Sequence, residues 1–391
     1  MNVLLLFTYG ISLKLWEKIG ILSREVLLYQ RLSEKGVNIN FLTYGDDEDY
    51  KYQEMLDIRV LPVNKLIHSR NFLIKMLKSL FLPIKLKHTF RNIDIIKTNQ
   101  IEGSWVGILG KIFYRKKFLV RIGVEWLHAH RNTATASSYT KAGFINYLKY
   151  FYQYCSLFLK SLIAYRLADR IIVTSDYDIP FIIKHFKLKK KFKNKKIHLI
   201  YNFIDEELFK PNNLTKIDKH VLYIGSLHHG KNVVNLVKAF KDLNDFTLDI
   251  IGDGPLEPKL RQLKEEFNIK INFLGRFPNV KLPEIINQYQ IFILPSISEG
   301  NPKTLLEAMS CGVACIGSNI EGINNIIKHK QNGYLCNIDL KSIEAAILEV
   351  YHNSDLRKHI SMNARQFIIN NCSIQKTIEK EYSIYEKLIK K

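Results

Sequence analysis

The sequence is poor in cysteine, poor in acid over its first half, and free of any long unbroken apolar run. Cys155, Cys311, Cys315, Cys336 and Cys372 are scattered and form no C-x-x-C pair. That excludes a disulfide framework and a zinc ribbon, and makes the reducing cytoplasm the expected home. No apolar stretch reaches the ~18–20 residues of a membrane span. The opening Met1–Phe7 has no basic residue ahead of its apolar core, so it reads as a first buried strand rather than a secretory leader. No G-x-G-x-x-G follows the first strand of either half, which argues against a nicotinamide dehydrogenase. RNP motifs and zinc-finger spacings are also missing, so no nucleic-acid partner is expected.

The scarcity of acid sets the charge. The 391 residues carry 58 Lys and Arg against 37 Asp and Glu, a formal net charge of +21. Residues 1–211 hold 35 of the cations and only 18 of the acids. Such a field attracts polyanions, whether nucleic acid, anionic lipid headgroups or phosphorylated glycans. Between Asp57 and Asp94 there is no acid at all, yet seven Lys and Arg from Lys65 to Arg91 interleave with Phe72, Leu73, Ile74, Met76, Leu77, Leu80, Phe81 and Leu82. A second stretch, 147–166, spaces Lys149, Gln153, Ser156 and Lys160 as a polar helix face opposite Phe151, Tyr152, Phe158 and Leu159. A third, 184–196, has eight lysines and no acid. Together they predict peripheral docking on an anionic membrane surface at the inner face of the plasma membrane. The plainer alternative is ordinary core with solvated lysines.

What the chain does have is a repeated alternation. Strand-like apolar runs begin at Val3, Val37, Ile93, Phe118, Arg170 and His198, with helical spacing between them. After the Pro/Asn linker at 209–213 the series restarts at His220, Thr247, Lys270, Ile291 and Val313, and the end of the chain reads as helix. This pattern predicts an α/β fold of two Rossmann-like, doubly wound parallel-sheet domains, with ligands at the carboxyl ends of the strands. The expected boundaries are 1–205, 206–370 and a terminal helix over 371–391 that packs back toward the first domain.

The most informative stretch is Leu294–Gly312. A strand ends at Leu294, a loop carries Glu299 and Gly300, Asn301 is placed as N-cap and Pro302 as first helical residue, and Gly312 is placed to end the helix. The amides of Lys303, Thr304 and Leu305 then open toward an anion such as a diphosphate. Glu299 and Glu307 lie close in space but on different elements, suited to a sugar and a ribose. A loop acid and a helix-dipole partner are the plainer readings of the same pair.

The Glu299–Glu307 spacing, with Glu-Gly-x-Pro at its start and Leu-Glu-Ala-Met-x-Cys-Gly at its end, resembles the E-x7-E signature of the retaining glycosyltransferase family 4. Tyr223-Ile-Gly225-Ser-Leu227-x-x-x-Lys231, Gly252-Asp-Gly254-Pro255, Phe273-Leu-Gly275 and Ile200-Tyr-Asn-Phe-Ile-Asp205 are similar to further family segments. The resemblance runs from about 165 to 340 and implies the GT-B fold, its two domains facing across a cleft. It implies a donor-binding second domain and an acceptor-binding first domain. It also implies a retaining, metal-independent hexosyltransferase whose co-substrate is a nucleotide-diphosphate sugar, with a glycan or lipid-linked acceptor, as in bacterial surface polysaccharide or lipopolysaccharide synthesis. By position, Lys231 would hold the diphosphate, Glu299 the sugar and Glu307 the ribose, with Gly254, Arg276 and Phe277 beside the nucleotide. Ser226 stands where the family places an Arg, so Arg276 or Arg121 would have to supply that cation. In the first domain Gly10, Arg121, Glu125 and His128 are the acceptor-side candidates, although Arg121 and Glu125 could equally form a structural ion pair. A sugar-nucleotide epimerase of the same fold, or a non-catalytic relative, is the alternative.

Overall fold

A computed structural model describes residues 1–123, 127, 144–188 and 196–390, the side chains of Phe72 and of 144–150 apart. The chain divides into two compact units, Met1–Ile200 with Thr377–Lys391, and Tyr201–Lys376. The units change at 200/201 and 376/377, a few residues from the boundaries at 205/206 and 370/371 that the linker composition suggests.

The first unit is built on a parallel sheet of β1 (Asn2–Leu6), β2 (Asn38–Thr43), β3 (Arg59–Pro62), β4 (Ile95–Thr98), β5 (Lys117–Ile122), β6 (Arg170–Val173) and β7 (Ile197–Leu199), in the order β3-β2-β1-β4-β5-β6-β7. Val3–Leu6 are all buried, because helices cover both faces of the sheet and leave no polar side for alternation. The edge strand β3 has no sequence signature: it is four residues long, begins on an exposed Arg59 and ends on Pro62. Central β4 carries Lys97, which is fully buried. Its Nζ lies 2.5 Å from Glu381 Oε2, on the helix Ile374–Ile389. Tyr385 donates its hydroxyl to the same oxygen, and the ammonium sits 4.8 Å from the centroid of the Tyr29 ring.

The second unit has β8 (His220–Ile224), β9 (Thr247–Ile251), β10 (Ile271–Gly275), β11 (Ile291–Leu294), β12 (Ala314–Ser318) and β13 (Tyr334–Cys336), all parallel, in the order β10-β9-β8-β11-β12-β13. The order reverses between β8 and β11, so the loops after these two strands diverge and leave a crevice at their carboxyl ends. Helix Ser354–Asn371 stops at Cys372, where the Ile204 amide donates to the Cys372 carbonyl and the Ile374 amide donates to the Ile204 carbonyl. These bonds split the terminal helical stretch in two. No described helix is long and apolar enough to cross a membrane.

The second basic stretch folds differently from the amphipathic reading. In helix Phe144–Leu167, Lys160 faces inward: its ammonium pairs with Glu102 at 3.2 Å and lies over the Trp105 ring. Phe151, Tyr152, Tyr154, Leu159 and Ile163 are exposed, as is Gln153 of the expected polar face. The carboxylate of Glu102 draws the lysine to the protein side, a long-range partner that helical spacing does not reveal. Residues 189–195 of the third basic stretch lie outside the described residues.

Candidate active site

The site grows from the loops after β8 and β11. Strand β11 is buried throughout, and the helix Lys303–Ser310 follows its loop. Asn301 is not the N-cap. Its Oδ1 accepts from the Asn202 amide at 2.8 Å, while Asn202 Nδ2 donates to the Asn301 carbonyl at 2.8 Å. The side chain is thus committed to a neighbouring segment, and Pro302 takes the cap position with extended backbone. The intrahelical ladder opens with the Leu306 amide donating to the Pro302 carbonyl. The amides of Thr304 and Leu305 precede that ladder, the first turn holds no acidic residue, and a proline cap brings no side-chain acceptor. An incoming anion therefore meets no competing carboxylate at this helix start. At the other end Gly312 turns the chain with φ +67°.

Lys231 closes a short 3-10 turn, His229–Lys231, after β8. Its Nζ lies 2.5 Å from Glu299 Oε1, and Ser296 donates its hydroxyl to the same oxygen at 2.7 Å. The Ile297 amide donates to the Gly230 carbonyl at 2.9 Å, stitching the two loops together. The cation and carboxylate singled out from sequence therefore meet at the point where the strand order reverses. Gly300 lies beside them, and Gly322 packs beneath: a Cβ there would stand 2.3 Å from the Glu299 carbonyl oxygen.

The loops after β8, β9 and β10 are laced in series. The Gly225 amide donates to Ile251, Leu227 to Asp253, and Gly252 to Gly275. Gly254 adopts φ +155°, and a Cβ would stand 2.5 Å from the Leu227 carbonyl oxygen, so only glycine permits this approach. Ser226 is exposed, its carbonyl accepting from the Tyr223 hydroxyl. Arg276 does not stand free as a substitute cation: its Nη2 lies 2.5 Å from Asp253 Oδ1. Phe277, next in line, is exposed. Glu307 is fully buried, with Oε1 accepting from Asn279 Nδ2 at 2.9 Å.

Sequence reasoning assigned no role to Asn202 or Ser296, although both lie in segments similar to the family's, or to Asn279 and Gly322. It also missed His228, two residues beyond Ser226. The His228 Nδ1 accepts from the Gly230 amide, which leaves Nε2 to carry the proton. Burial, then the neighbouring charge of Lys231, hold its pKa below the usual histidine value.

In the first unit Gly10 lies in the turn after β1 with φ +83°, exposed and with open space around it. Arg121 is half-buried on β5, where its charge helps depress the pKa of Lys97. Glu125 and His128 lie outside the described residues. Two Asp-x-Asp triplets occur in the first unit, Asp47–Asp49 and Asp176–Asp178. Asp49 is buried and engaged: its carboxylate accepts from the amides of Leu13 and Lys14 and from the Thr43 hydroxyl.

Two parallel, doubly wound α/β units in one chain are the GT-B architecture. The family model for group 1 glycosyl transferases matches residues 204–367, and that for glycosyltransferase family 4 matches residues 26–208. The chain belongs to the family 4, group 1 glycosyltransferases. It is 30% identical over 207 residues to N-acetyl-alpha-D-glucosaminyl L-malate synthase of Bacillus anthracis, a match covering 49% of this chain and 54% of that enzyme. The chain thus spans about half the length of this relative. It is 29% identical to the Escherichia coli UDP-Gal:alpha-D-GlcNAc-diphosphoundecaprenol alpha-1,3-galactosyltransferase, covering 80% of each chain. The Anabaena protein HepE, solved with UDP and glucose, shares the fold with a TM-score of 0.75 at 15% identity, covering 99% of this chain and 100% of HepE.

Proposed function

We propose that the protein is a retaining, metal-independent hexosyltransferase that moves a sugar from a nucleotide-diphosphate donor to a hydroxyl of a glycan or lipid-linked acceptor, in bacterial surface polysaccharide or lipopolysaccharide assembly. The observation that carries this reading is the convergence of Lys231, Glu299 and an anion-ready helix start at the reversal point of the second sheet. The relatives support the substrate class, since one is named for a UDP-galactose donor and a diphosphoundecaprenol-linked acceptor.

In this proposal the donor diphosphate lies against the Thr304 and Leu305 amides and draws Lys231 from Glu299. The carboxylate, released from its ion pair, then accepts from donor-sugar hydroxyls. The bond from sugar C1 to the diphosphate oxygen breaks, the acceptor oxygen bonds C1 from the same face, and its proton passes to the departing phosphate. Lys231 and the helix amides stabilise the charge that develops on the leaving group. That positive charge is the protein's own, which is why no metal is invoked. His228 Nε2–H, two residues beyond Ser226, takes the place of the family's Arg, since Arg276 is paired with Asp253. Arg276 and Phe277 border the nucleobase. Glu307 reaches the ribose directly or through Asn279, whose amide it holds.

The first unit would meet the membrane through the segment 72–87. Leu73, Ile74, Leu77, Phe81 and Ile84 are each 46–57% exposed. They stand among Lys75, Lys78, Lys85 and Lys87, and each lysine near an anionic leaflet contributes about 1 kcal/mol. Acidic liposomes should retain the protein at low salt and release it at high salt.

The deciding measurement is a thermal-shift screen of uridine, guanosine and adenosine diphosphate sugars, followed by transfer assays with the stabilising donor. The reading predicts a donor-dependent rise in melting temperature that Glu307→Ala loses while remaining folded. Full transfer by Glu307→Ala would sink the site assignment. Conversion of the donor sugar without any acceptor would mark an epimerase instead.

A further inference from the structure

The first unit holds a cavity that the reaction does not use. Edge strand β7 and the helix Ile374–Ile389 enclose about 530 Å³, within the roughly 300–1,000 Å³ of small-ligand sites. Lys380, Ser383, Ile384 and Lys387 follow one another at helical spacings of three, one and three, so a single helix face supplies them. Buried Ile197 and Ile384 make an apolar floor, and the exposed Lys380 and Lys387 stand at the rim. His198, half-buried on β7, lines the same space.

Two observations point to an anion. His198 Nε2 is buried and, among the described residues, has no hydrogen-bond partner, a cost that native interiors ordinarily avoid. Burial, and then the charges of Arg170 and Lys387, press the His198 pKa below the usual value, so cations crowd this ring with little local compensation. Among the described residues that line the cavity, Glu379 is the one acid beside Lys380 and Lys387. A turn of the His198 ring that brings Nε2 into the cavity would let a phosphate oxygen take that hydrogen bond between the two rim ammonium groups.

We propose that the cavity between β7 and the terminal helix is a second anion site, which takes a phosphate group carried by a soluble ion or by a phospholipid headgroup. The apolar floor would seat the glycerol and first methylenes of a lipid. A soluble phosphate would use the His198, Ser383 and lysine groups alone.

Histidine-ring NMR of the full chain tests this, with the His198 signal assigned by its loss in His198→Gln. One titration uses inorganic phosphate and another uses dihexanoyl phosphatidylglycerol as dissolved monomer. Either ligand should move the His198 ring and raise its midpoint, and the Lys380→Ala/Lys387→Ala variant should bind about tenfold more weakly or worse. A response to phosphate identifies the soluble ion as sufficient, and a response to the lipid alone identifies the headgroup. Both rim lysines are exposed, so their loss leaves the core intact. A His198 ring that neither ligand moves, or a shift that survives removal of both lysines, would overturn the proposal.

Discussion

Each unit contains a lysine and a glutamate with Nζ and carboxylate oxygen 2.5 Å apart, and the two pairs do different things. Lys97 and Glu381 are 0% and 1% exposed, sealed among Tyr29 and Tyr385. Lys231 and Glu299 are 21% and 9% exposed, on two loops at the edge of a sheet. A buried pair cannot exchange partners without leaving a naked charge in a low dielectric. A pair at a loop edge can trade its partner for a ligand's phosphate. The helix starts repeat the lesson. In the first unit Asp49 already fills the amides that open the helix Leu13–Lys18, whereas the helix Lys303–Ser310 has no acid in its first turn. The two helix starts differ in this: Asp49 fills the first, and the first turn of the second holds no carboxylate of its own.

The comparison breaks most visibly at the buried pair. Lys97→Met should lower stability by roughly 3–5 kcal/mol in urea denaturation, because Glu381 is left uncompensated, and adding Glu381→Leu should restore most of it. If the double variant is as unstable as the single one, the pair is not the cause. The loop pair should behave oppositely. Lys231→Ala should reduce kcat of transfer by about 10²–10³, or roughly 2.7–4 kcal/mol, with the urea midpoint nearly unmoved. A Lys231→Ala enzyme that is slow only because it unfolds would erase the distinction. Asp49→Ala should cost about 2 kcal/mol of stability, since three donors, two of them in buried bonds, lose a charged acceptor, and should spare donor binding in the second unit. A fall in donor affinity without loss of stability would mean that Asp49 acts on the ligand.

The smallest effect is a slope. Burial, with Arg121 adding to it and Glu381 opposing it, holds Lys97 down to about 8. The unfolded chain keeps that proton to about 10.4, so it binds more protons than the native state between these values. Stability should therefore rise with pH across that window relative to Lys97→Met, which lacks the titrating group. Parallel pH dependences in the two proteins would show that Lys97 titrates normally.

Much of this was legible because it is local. Strand alternation, the Gly252-Asp-Gly254 turn and the Glu299–Glu307 spacing are short-range patterns, and they placed the second sheet and its loops. What escaped depends on distant partners. Asn301 has the chemistry of an N-cap, but Asn202, 99 positions away, claims its side chain. Lys160 has the spacing of a solvated face, but Glu102 turns it inward. Lys97 and Glu381 are 284 residues apart, and nothing in either neighbourhood announces the other. Asn279 under Glu307 and Asp49 under the first helix are of the same kind: polar residues in short 3-10 turns, where periodicity is silent and only the tertiary fold assigns a partner.

The first unit is discontinuous in the chain, residues 1–200 being completed by 377–391. During synthesis it therefore waits for its own last helix while residues 201–376 emerge ahead of that helix and fold as a contiguous block. Until Glu381 leaves the ribosome, Lys97 has no counter-charge in the middle of its sheet. The nascent first unit is thus held in an incomplete state for the entire time its neighbour is being made, and a truncation ahead of Glu381 would leave it there permanently.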